Sequence, residues 1–341
     1  MKAVRLHGYE RTPVLDDVPD PAVAGPLDVI VRIGGAGVCR TDLHIIEGQW
    51  EAKSGVALPY IQGHENAGWV AEVGAAVTGL APGDPVILHP LVTCGLCAAC
   101  RRGDDVHCAA SAFPGIDADG GFAEYLRTNA RAVVPLDPGL APAEVAALAD
   151  AGLTAYHAAK KAAHRLAPGD KAVVIGAGGL GHIGIQVLAA LTPAELIVVD
   201  TSAQALKLAE TLGAHHTVVA DGSQVDQVAA LTGGQGAEAV LDFVGEGGAL
   251  EDGVRMLRRA GDYYVIGYGG TLSVPTIDII STEINFIGNL VGSYTDLVEL
   301  MNLAARGLVT LHNVTYPLDA FDRALDDLDR GRVRGRAVLV P

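Results

Sequence analysis

The sequence, 341 residues long, predicts an α/β protein in which a doubly wound parallel sheet is joined to a region made mainly of β-strands. Two observations predict this fold class. From about residue 150, short apolar runs alternate with helical patterns, whereas the first 140 residues carry short β-like runs separated by Gly and Pro. Because the chain is longer than a single hydrophobic core usually supports, we expect two domains.

The individual elements can be predicted in chain order. The first region contains strand-like runs at residues 29–33, 68–73, 85–88 and 132–135. The middle region begins with Lys171–Ile175, a continuous apolar run typical of a strand buried on both faces. Helices are predicted from residue 179 to about 191 and over Ala203–Leu212, where Gly213 is suited to end the second helix. Further strands are predicted at 196–199, 217–219, 239–244, 263–266 and 285–287, followed by helices at 296–306 and 321–330 and a last strand at 337–340.

The composition limits the function classes. The formal net charge is −16 and the isoelectric point is about 5.0. A surface this acidic repels phosphate backbones and anionic lipid heads, so we expect neither nucleic-acid binding nor binding to a membrane surface. The first residues lack the apolar segment of a signal peptide, and no apolar run is long enough to span a membrane. We therefore expect a soluble, cytoplasmic protein.

A glycine-rich loop follows the first strand of the middle region. The sequence GAGGLG places Gly176, Gly178 and Gly181 in the pattern G-x-G-x-x-G, between an apolar strand and a helix. These glycines permit a tight turn, close approach of the backbone to a pyrophosphate, and packing of the helix on the strand. A six-residue motif of this kind also occurs in ordinary glycine-rich turns, but here the strand before it and the helix after it match a dinucleotide-binding unit.

An acidic residue closes the next predicted strand. Asp200 lies 19 residues after Gly181, where a carboxylate can accept hydrogen bonds from the adenosine ribose hydroxyls. A carboxylate at this position, followed by Thr201 rather than Arg, would repel a 2′-phosphate. The sequence therefore favours NAD over NADP.

Four of the five cysteines lie in one short segment, CGLCAACRRGDDVHC. In a reducing compartment such a cluster indicates a metal site rather than disulfides. A tetrahedral Zn²⁺ bound by four thiolates has no open position for chemistry, so we expect a structural zinc. The alternative is an iron–sulfur cluster, but the long gap before the last cysteine and the absence of an adjacent Pro favour zinc. The four predicted ligands are Cys94, Cys97, Cys100 and Cys108.

The fifth cysteine has chemically active neighbours. The segment GVCRTDLH places Cys39 beside a cation, a hydroxyl, a carboxylate and an imidazole, and GHE follows at residues 63–65. Taken singly, a buried Cys or His is typical of an inert core residue. Together with the dinucleotide loop and the four-cysteine segment, however, these residues resemble the motifs of a known family.

These motifs, in this order, resemble the zinc-dependent alcohol dehydrogenases of the medium-chain dehydrogenase/reductase (MDR) family. The resemblance covers essentially the whole chain and rests on GVCRTDLH, GHE, the four-cysteine segment, GGFAEY, GAGGLG and the closing GRAVLV. It implies a GroES-like catalytic domain at residues 1–149, to which residues 291–341 return, and a Rossmann NAD-binding domain at 150–290. It also implies reversible hydride transfer between a primary or secondary alcohol and NAD⁺, with one catalytic and one structural zinc per chain. The zinc-free quinone reductases share this fold but lack both cysteine motifs.

The resemblance assigns ligands to the catalytic zinc. It implies Cys39 and His64, and the third position, a cysteine in many members, corresponds to Asp150 in this chain. Glu65 is the alternate ligand, because the acid beside the His can approach the metal in this family. A carboxylate ligand is harder than a thiolate and would leave the zinc more electrophilic.

Further roles follow from the same resemblance. Thr41 and His44 are implied as a proton relay, and Asp42 as the acid that orients His64. Arg40 and Arg336 match positions that bind the cofactor pyrophosphate. The cofactor contacts predicted beyond these two arginines are Gly176, Gly178, Gly179, Leu180, Gly181, Asp200 and Gly267.

Two other readings and several details stay open at this stage. A polyol or sorbitol-type zinc dehydrogenase is the alternative enzyme, encouraged by the carboxylate at position 150, and a non-catalytic NAD-binding protein on the same fold is the alternative class. We expect a homo-oligomer, either a tetramer or a dimer. The substrate itself is not predicted, although loosely matched pocket positions hint at an apolar pocket: Gln49, Trp50, Leu91, Val92 and Leu290.

Overall fold

The computed structural model describes all residues from Met1 to Pro341, which divide into two compact units. The first unit contains Met1–Leu153 and Ser293–Pro341, and the second contains Thr154–Gly292. None of the helices is both long and apolar enough to cross a membrane.

The first unit is mainly β. Its strands in the first part of the chain are β1 (Lys2–Leu6), β2 (Val14–Asp17), β3 (Asp28–Val38), β4 (Tyr60–Ile61), β5 (Glu65–Val73), β6 (Pro85–Leu88), β7 (Tyr125–Asn129) and β8 (Val133–Pro135). Short helices connect them: α1 (Arg40–Ile46), α2 (Glu51–Ser54), α3 (Ala98–Arg101) and α4 (Pro142–Val145). Helix α5 (Ala151–Ala163) contains the boundary between the units.

The second unit alternates strands and helices. Its strands are β9 (Lys171–Ile175), β10 (Glu195–Asp200), β11 (His216–Val219), β12 (Ala237–Asp242), β13 (Leu257–Val265) and β14 (Asn285–Gly288). Its helices are α6 (Gly181–Leu191), α7 (Ala203–Leu212), α8 (Gln224–Leu231), α9 (Ala249–Met256) and α10 (Thr276–Thr282). The chain then returns to the first unit with α11 (Tyr294–Ala305), β15 (Asn313–Pro317), α12 (Phe321–Asp329) and β16 (Arg336–Val340).

All six strands of the second unit form one parallel sheet in the order β11-β10-β9-β12-β13-β14. The order reverses direction between β9 and β12, and in such sheets the ligand binds outside the carboxyl ends of the strands at this reversal. Strand β9 is buried along its apolar run, as predicted, and Gly213 ends α7 with a φ of +116°. The predicted doubly wound parallel sheet is therefore confirmed.

The first unit contains a sheet in the order β15-β16-β3-β5-β6-β8, in which β7 also pairs with β3, and a small sheet in the order β2-β1-β4. Strand β16, from the end of the chain, pairs antiparallel with the last part of β3. This pairing is not evident from the sequence, because it joins residues about 300 positions apart. It brings Arg336, at the start of β16, to the region where β3 ends.

Candidate functional site

Cys39 is positioned by the start of helix α1. Strand β3 ends at Val38, and the backbone N–H of Cys39 donates to Asp42 Oδ2 at 2.8 Å, while the N–H of Asp42 donates to the Cys39 carbonyl at 3.0 Å. These reciprocal bonds satisfy donors that a helix start leaves unpaired. The thiol of Cys39 is thereby held, buried, at the end of a central strand.

His64 lies against the same segment, directly before β5. Its ring is 1% exposed, with Nδ1 3.4 Å from Asp42 Oδ1 and Nε2 3.5 Å from Asp150 Oδ2. Neither ring nitrogen makes a hydrogen bond, which is unusual for a buried polar group. A metal ion bound by Nε2 would account for this arrangement, with Asp42 facing the other nitrogen.

The electrostatic environment of His64 favours a cation. Burial alone would lower the pKa of His64, but the nearby Asp42 and Cys39 together raise the pKa well above its usual value. The negative groups that stabilise a bound proton also stabilise a bound metal cation, because both replace the same missing charge.

The carboxylate of Glu65 is held by an arginine from the other end of the chain. Arg336 Nη2 lies 2.5 Å from both Glu65 oxygens, and the backbone N–H of Ala151 donates to Oε1 at 3.2 Å. Glu65 and Arg336 are both buried. Gly37 leaves room for this pair, since a Cβ there would lie 1.9 Å from Glu65 Oε2. Sequence reasoning missed this ion pair, and the pyrophosphate contact of Arg336 stays a prediction.

The donor set fits a metal. Donor atoms of Cys39, His64 and Glu65 all lie within 4.8 Å of one another, and Asp150, the residue directly before α5, faces His64 Nε2. One sulfur, one imidazole nitrogen and a carboxylate oxygen are the donors that zinc takes in catalytic sites. Glu65 is grouped with both other donors, whereas Asp150 lies close to His64, so the choice of Asp150 over Glu65 remains a prediction.

The predicted relay residues lie on α1. Thr41 and His44 are three positions apart, so the helix places them on one face, and both side chains are partly exposed. Arg40 is exposed at the first residue of this helix. The roles of these side chains stay predictions.

The four cysteines of the predicted structural site lie close together in one segment of the chain. Their sulfur atoms all lie within 4.8 Å of one another, and no disulfide is formed. A tetrahedron with zinc–sulfur bonds of about 2.3 Å has edges of about 3.8 Å, so this spacing suits one ion. The backbone N–H groups of Cys100 and Ala109 lower the pKa of Cys97 to about 6, which favours the thiolate that a metal requires.

The dinucleotide loop has the geometry that its glycines predict. Gly176 has a φ of +87°, and a Cβ on Gly181 would lie 1.7 Å from the Gly176 carbonyl oxygen. A Cβ on Gly178 would meet nothing within 4 Å, so this backbone is open to a close ligand. The loop leads into α6, whose first N–H groups and positive dipole end suit a pyrophosphate.

Asp200 ends strand β10 and also shapes this loop. Its Oδ2 accepts the N–H of Ala177 and its Oδ1 accepts the N–H of Ser202, both at 2.7 Å. The contact with Ala177 is a second task that the sequence did not reveal. The predicted ribose contacts of Asp200 and the cofactor contacts of Gly179, Leu180 and Gly267 stay predictions.

The pocket positions differ in their surroundings. Trp50 packs against a small buried cluster that includes Ile45 and Tyr60, and Leu91 is buried. Leu290 is exposed and belongs to the second unit. These positions define no substrate.

The chain was compared with known proteins. Residues 25–138 match the family described as Alcohol dehydrogenase GroES-like domain, and residues 179–306 match Zinc-binding dehydrogenase. The chain is 35% identical to an NAD-dependent alcohol dehydrogenase of Sulfurisphaera tokodaii, with 100% of each chain covered. It is also 35% identical to a D-arabinose 1-dehydrogenase (NADP(+)) of Saccharolobus solfataricus, covering 100% of this chain and 97% of that one.

Solved structures agree with this relationship. The crystal structure of an alcohol dehydrogenase from the hyperthermophilic archaeon Aeropyrum pernix superposes with a TM-score of 0.97 at 48% identity, covering 100% of both chains. The mainly β unit and the parallel sheet are thus a GroES-like domain and a Rossmann domain. The chain belongs to the zinc-dependent alcohol dehydrogenases of the medium-chain dehydrogenase/reductase family.

Proposed function

We propose that this protein is an NAD-dependent zinc alcohol dehydrogenase that interconverts a primary or secondary alcohol and the corresponding aldehyde or ketone. The observation that carries the proposal is the buried group of Cys39, His64 and Glu65, in which the His64 nitrogens lack hydrogen-bond partners. A non-catalytic protein on this fold would have no need for such a donor set. The test is NADH formation from NAD⁺ across a panel of alcohols, with the zinc-loaded protein.

Each residue of the centre has a distinct task in this proposal. Cys39, His64 and either Asp150 or Glu65 would hold the catalytic zinc, which would lower the pKa of the alcohol hydroxyl, and NAD⁺ would accept the hydride. The hydroxyl of Thr41 accepts the substrate hydroxyl proton as it gives up its own, and the imidazole of His44 passes a proton on to solvent. Asp42, 3.4 Å from His64 Nδ1, keeps the ring oriented.

We propose two zinc ions per chain. The four-cysteine site supplies a closed set of thiolates, whereas the Cys39 centre includes a carboxylate and keeps a position for substrate. Elemental analysis before and after chelation tests the count. We expect one zinc to leave with loss of activity and one to resist; full activity of a zinc-free protein would contradict the catalytic role.

We propose that NAD is the preferred cofactor. Asp200 supplies a carboxylate at the end of β10, which would repel a 2′-phosphate. The similarity to a D-arabinose dehydrogenase named with NADP(+) makes a direct test necessary. We expect Asp200→Ala to lower the ratio of kcat/KM with NAD to kcat/KM with NADP by at least about tenfold, because the substitution removes the charge that repels the 2′-phosphate. An unchanged ratio would show that Asp200 does not set the preference.

A polyol or sugar dehydrogenase is the second candidate. Two observations favour it: a carboxylate stands at position 150 near His64, and a D-arabinose dehydrogenase is among the similar proteins. Including sorbitol, other polyols and pentoses in the substrate panel separates the two candidates. A kcat/KM for a polyol or pentose well above that for simple alcohols would favour the second.

We also propose that the protein is a cytoplasmic homo-oligomer, either tetramer or dimer. All five cysteines are free, which suits a reducing compartment. Strand β14 forms an edge of the parallel sheet, and Ile277 and Ile280 on the neighbouring helix α10 are 66% and 72% exposed. Exposed apolar side chains beside an open sheet edge are typical of an interface. Light scattering coupled to size-exclusion chromatography measures the state, and a monomer at micromolar concentration would contradict it.

A further inference from the structure

Asp242 is a fully buried carboxylate in the second unit that no predicted role includes. It is the last residue of β12 and is 0% exposed. Its Oδ1 accepts the N–H groups of Val244 at 2.8 Å and Gly245 at 3.0 Å, and its Oδ2 accepts the hydroxyl of Tyr263 at 2.7 Å. Every oxygen of this carboxylate is therefore used within the turn that follows β12 and on the adjacent strand β13.

The main chain of Asp242 binds a second turn. Its carbonyl oxygen accepts the N–H groups of Ile266 at 3.1 Å and Gly267 at 2.9 Å, which directly follow β13. One residue thus joins the turns that leave two neighbouring parallel strands. We call residues 243–245 and 266–270 the braced turns.

The braced turns pack with no spare room between them. A Cβ on Gly245 would lie 2.2 Å from the Gly267 carbonyl carbon, and one on Gly267 would lie 2.4 Å from the carbonyl carbon of Val244. The N–H of Gly270 donates to the Gly245 carbonyl at 2.8 Å. A shift of one turn must therefore displace the other, because backbones this close cannot move independently.

The braced turns also contact the dinucleotide loop. The N–H of Phe243 donates to the carbonyl of Ile175, the residue before the loop, at 3.0 Å. Val244 Cγ2 lies 2.7 Å from the point that a Cβ on Gly176 would occupy, and the Phe243 ring lies 2.6 Å from the corresponding point at Gly184. The first glycine of the loop and the first turns of α6 are thus supported from the side by residues that Asp242 holds.

The chemistry of Asp242 suits this supporting task. Its hydrogen-bond donors are two backbone amides and a phenol, and no cation pairs with it. Burial, together with the charge of Asp242, raises the pKa of Tyr263, so the phenol stays protonated and donates to the carboxylate. An apolar side chain would fill the same space but would leave two buried N–H groups unpaired.

We propose that Asp242 is a positioning residue for NAD binding, which holds the braced turns so that Gly176 and Gly267 keep the backbone geometry the cofactor requires. This inference rests on the proposed NAD-dependent function. Asp242 acts through the turns and needs no contact with the cofactor.

The test compares the zinc-loaded wild type with variants at Asp242 and a matched control. Asp242→Ala removes both acceptor oxygens, whereas Asp242→Asn keeps one oxygen for the two amides and an amino group that can donate to Tyr263. The matched control is Asp262→Ala. Asp262 is also a buried carboxylate, but it lies on β13 three residues before the strand ends, where it binds Arg165 and Asn285 instead of the braced turns. NADH affinity is measured by fluorescence titration, the KM values for NAD and alcohol by kinetics, and loop opening by hydrogen exchange of the peptide covering 243–248.

We expect Asp242→Ala to raise the Kd for NADH and the KM for NAD by at least about tenfold, while the KM for alcohol changes by less than about twofold. In the absence of NADH, amide hydrogen exchange in the peptide 243–248 should be faster in Asp242→Ala than in the wild type. Asp242→Asn should restore affinity to within about threefold of the wild type, and Asp262→Ala should lower Tm but leave the Kd for NADH within about twofold.

The proposal is overturned if Asp242→Ala binds NADH as tightly as the wild type does. It is also overturned if Asp262→Ala raises the Kd for NADH as much as Asp242→Ala does, because general destabilisation would then explain both effects. If Asp242→Ala does not fold, Tyr263→Phe provides the test, because it removes only the hydrogen bond from the phenol to Asp242. We expect this variant to bind NADH about threefold more weakly and to exchange faster in the peptide 243–248. No change in either quantity would overturn the proposal. A wild-type protein that binds no NADH would instead contradict the proposed function itself.

Discussion

The two cysteine-containing clusters of the GroES-like domain differ in composition, burial and completeness. The four-cysteine cluster is built from one segment, has only sulfur donors and is partly exposed. The Cys39 cluster combines the residue that follows β3, two residues where β5 begins and the residue directly before α5. Its cysteine, histidine and glutamate are buried, and its imidazole makes no hydrogen bond. A closed set of identical ligands suits a structural ion, whereas a buried mixed set leaves a position for chemistry. Ligand completeness, rather than the number of cysteines, therefore distinguishes the two tasks.

The largest effect on turnover should come from the Cys39 cluster. We expect Cys39→Ser to lower kcat/KM for alcohol oxidation by at least about a thousandfold, because the metal supplies several kcal/mol of charge stabilisation in the transition state. The variant should keep about one zinc per chain, held by the four cysteines. Steady-state kinetics and elemental analysis measure both quantities. Wild-type activity in a variant that has lost this zinc would break the assignment of the catalytic cluster.

The next effect sharpens the choice between the two carboxylates. Asp150 Oδ2 lies 3.5 Å from His64 Nε2, whereas Glu65 is bound by Arg336 on both oxygens. We expect Asp150→Asn to weaken catalytic zinc binding by about 10- to 100-fold or more, and Glu65→Gln to weaken it less, because Arg336 already occupies that carboxylate. Competition with a chromogenic chelator measures the two affinities. The reverse order would identify Glu65 as the resting ligand.

How much of these sites could be predicted from the sequence depends on how far apart their residues lie in the chain. The cysteines at 94–108 and the glycines at 176–181 are local patterns whose spacing carries its own geometry, so sequence reasoning identified both. The ion pair of Glu65 with Arg336 joins residues 271 positions apart, and it depends on β16 pairing with β3. Asp150 emerged only through resemblance, since a single aspartate has no diagnostic spacing. Asp242 was overlooked because its importance lies in which backbone amides the fold brings to it.

A smaller effect is expected at the outer end of the relay. His44 lies three residues after Thr41 on α1 and is partly exposed. We expect His44→Gln to lower kcat for alcohol oxidation roughly tenfold near neutral pH, less than the ~10²-fold or more of a direct general base, because solvent can accept the proton at this end. The loss should shrink as pH rises, since hydroxide replaces the imidazole as acceptor. A pH profile parallel to that of the wild type would exclude His44 from proton transfer.

The smallest effect on turnover, and the largest on stability, should come from the four-cysteine cluster. Cys100→Ser removes one of four sulfur ligands, and burial raises the pKa of Cys100 to about 11 in the absence of metal, so this thiol forms a thiolate only when a cation is present. Losing the zinc therefore removes binding energy that contributes directly to folding. We expect Tm to fall by roughly 10 °C, while kcat/KM per folded molecule, measured well below Tm, changes by less than about threefold. Because Asp105 in this loop accepts the backbone N–H of Tyr294 at 3.0 Å, the destabilisation should extend to the start of α11, and hydrogen exchange there should rise. A variant with wild-type Tm but greatly reduced turnover would reverse the roles assigned to the two clusters, because it would place the chemistry at the four-cysteine site.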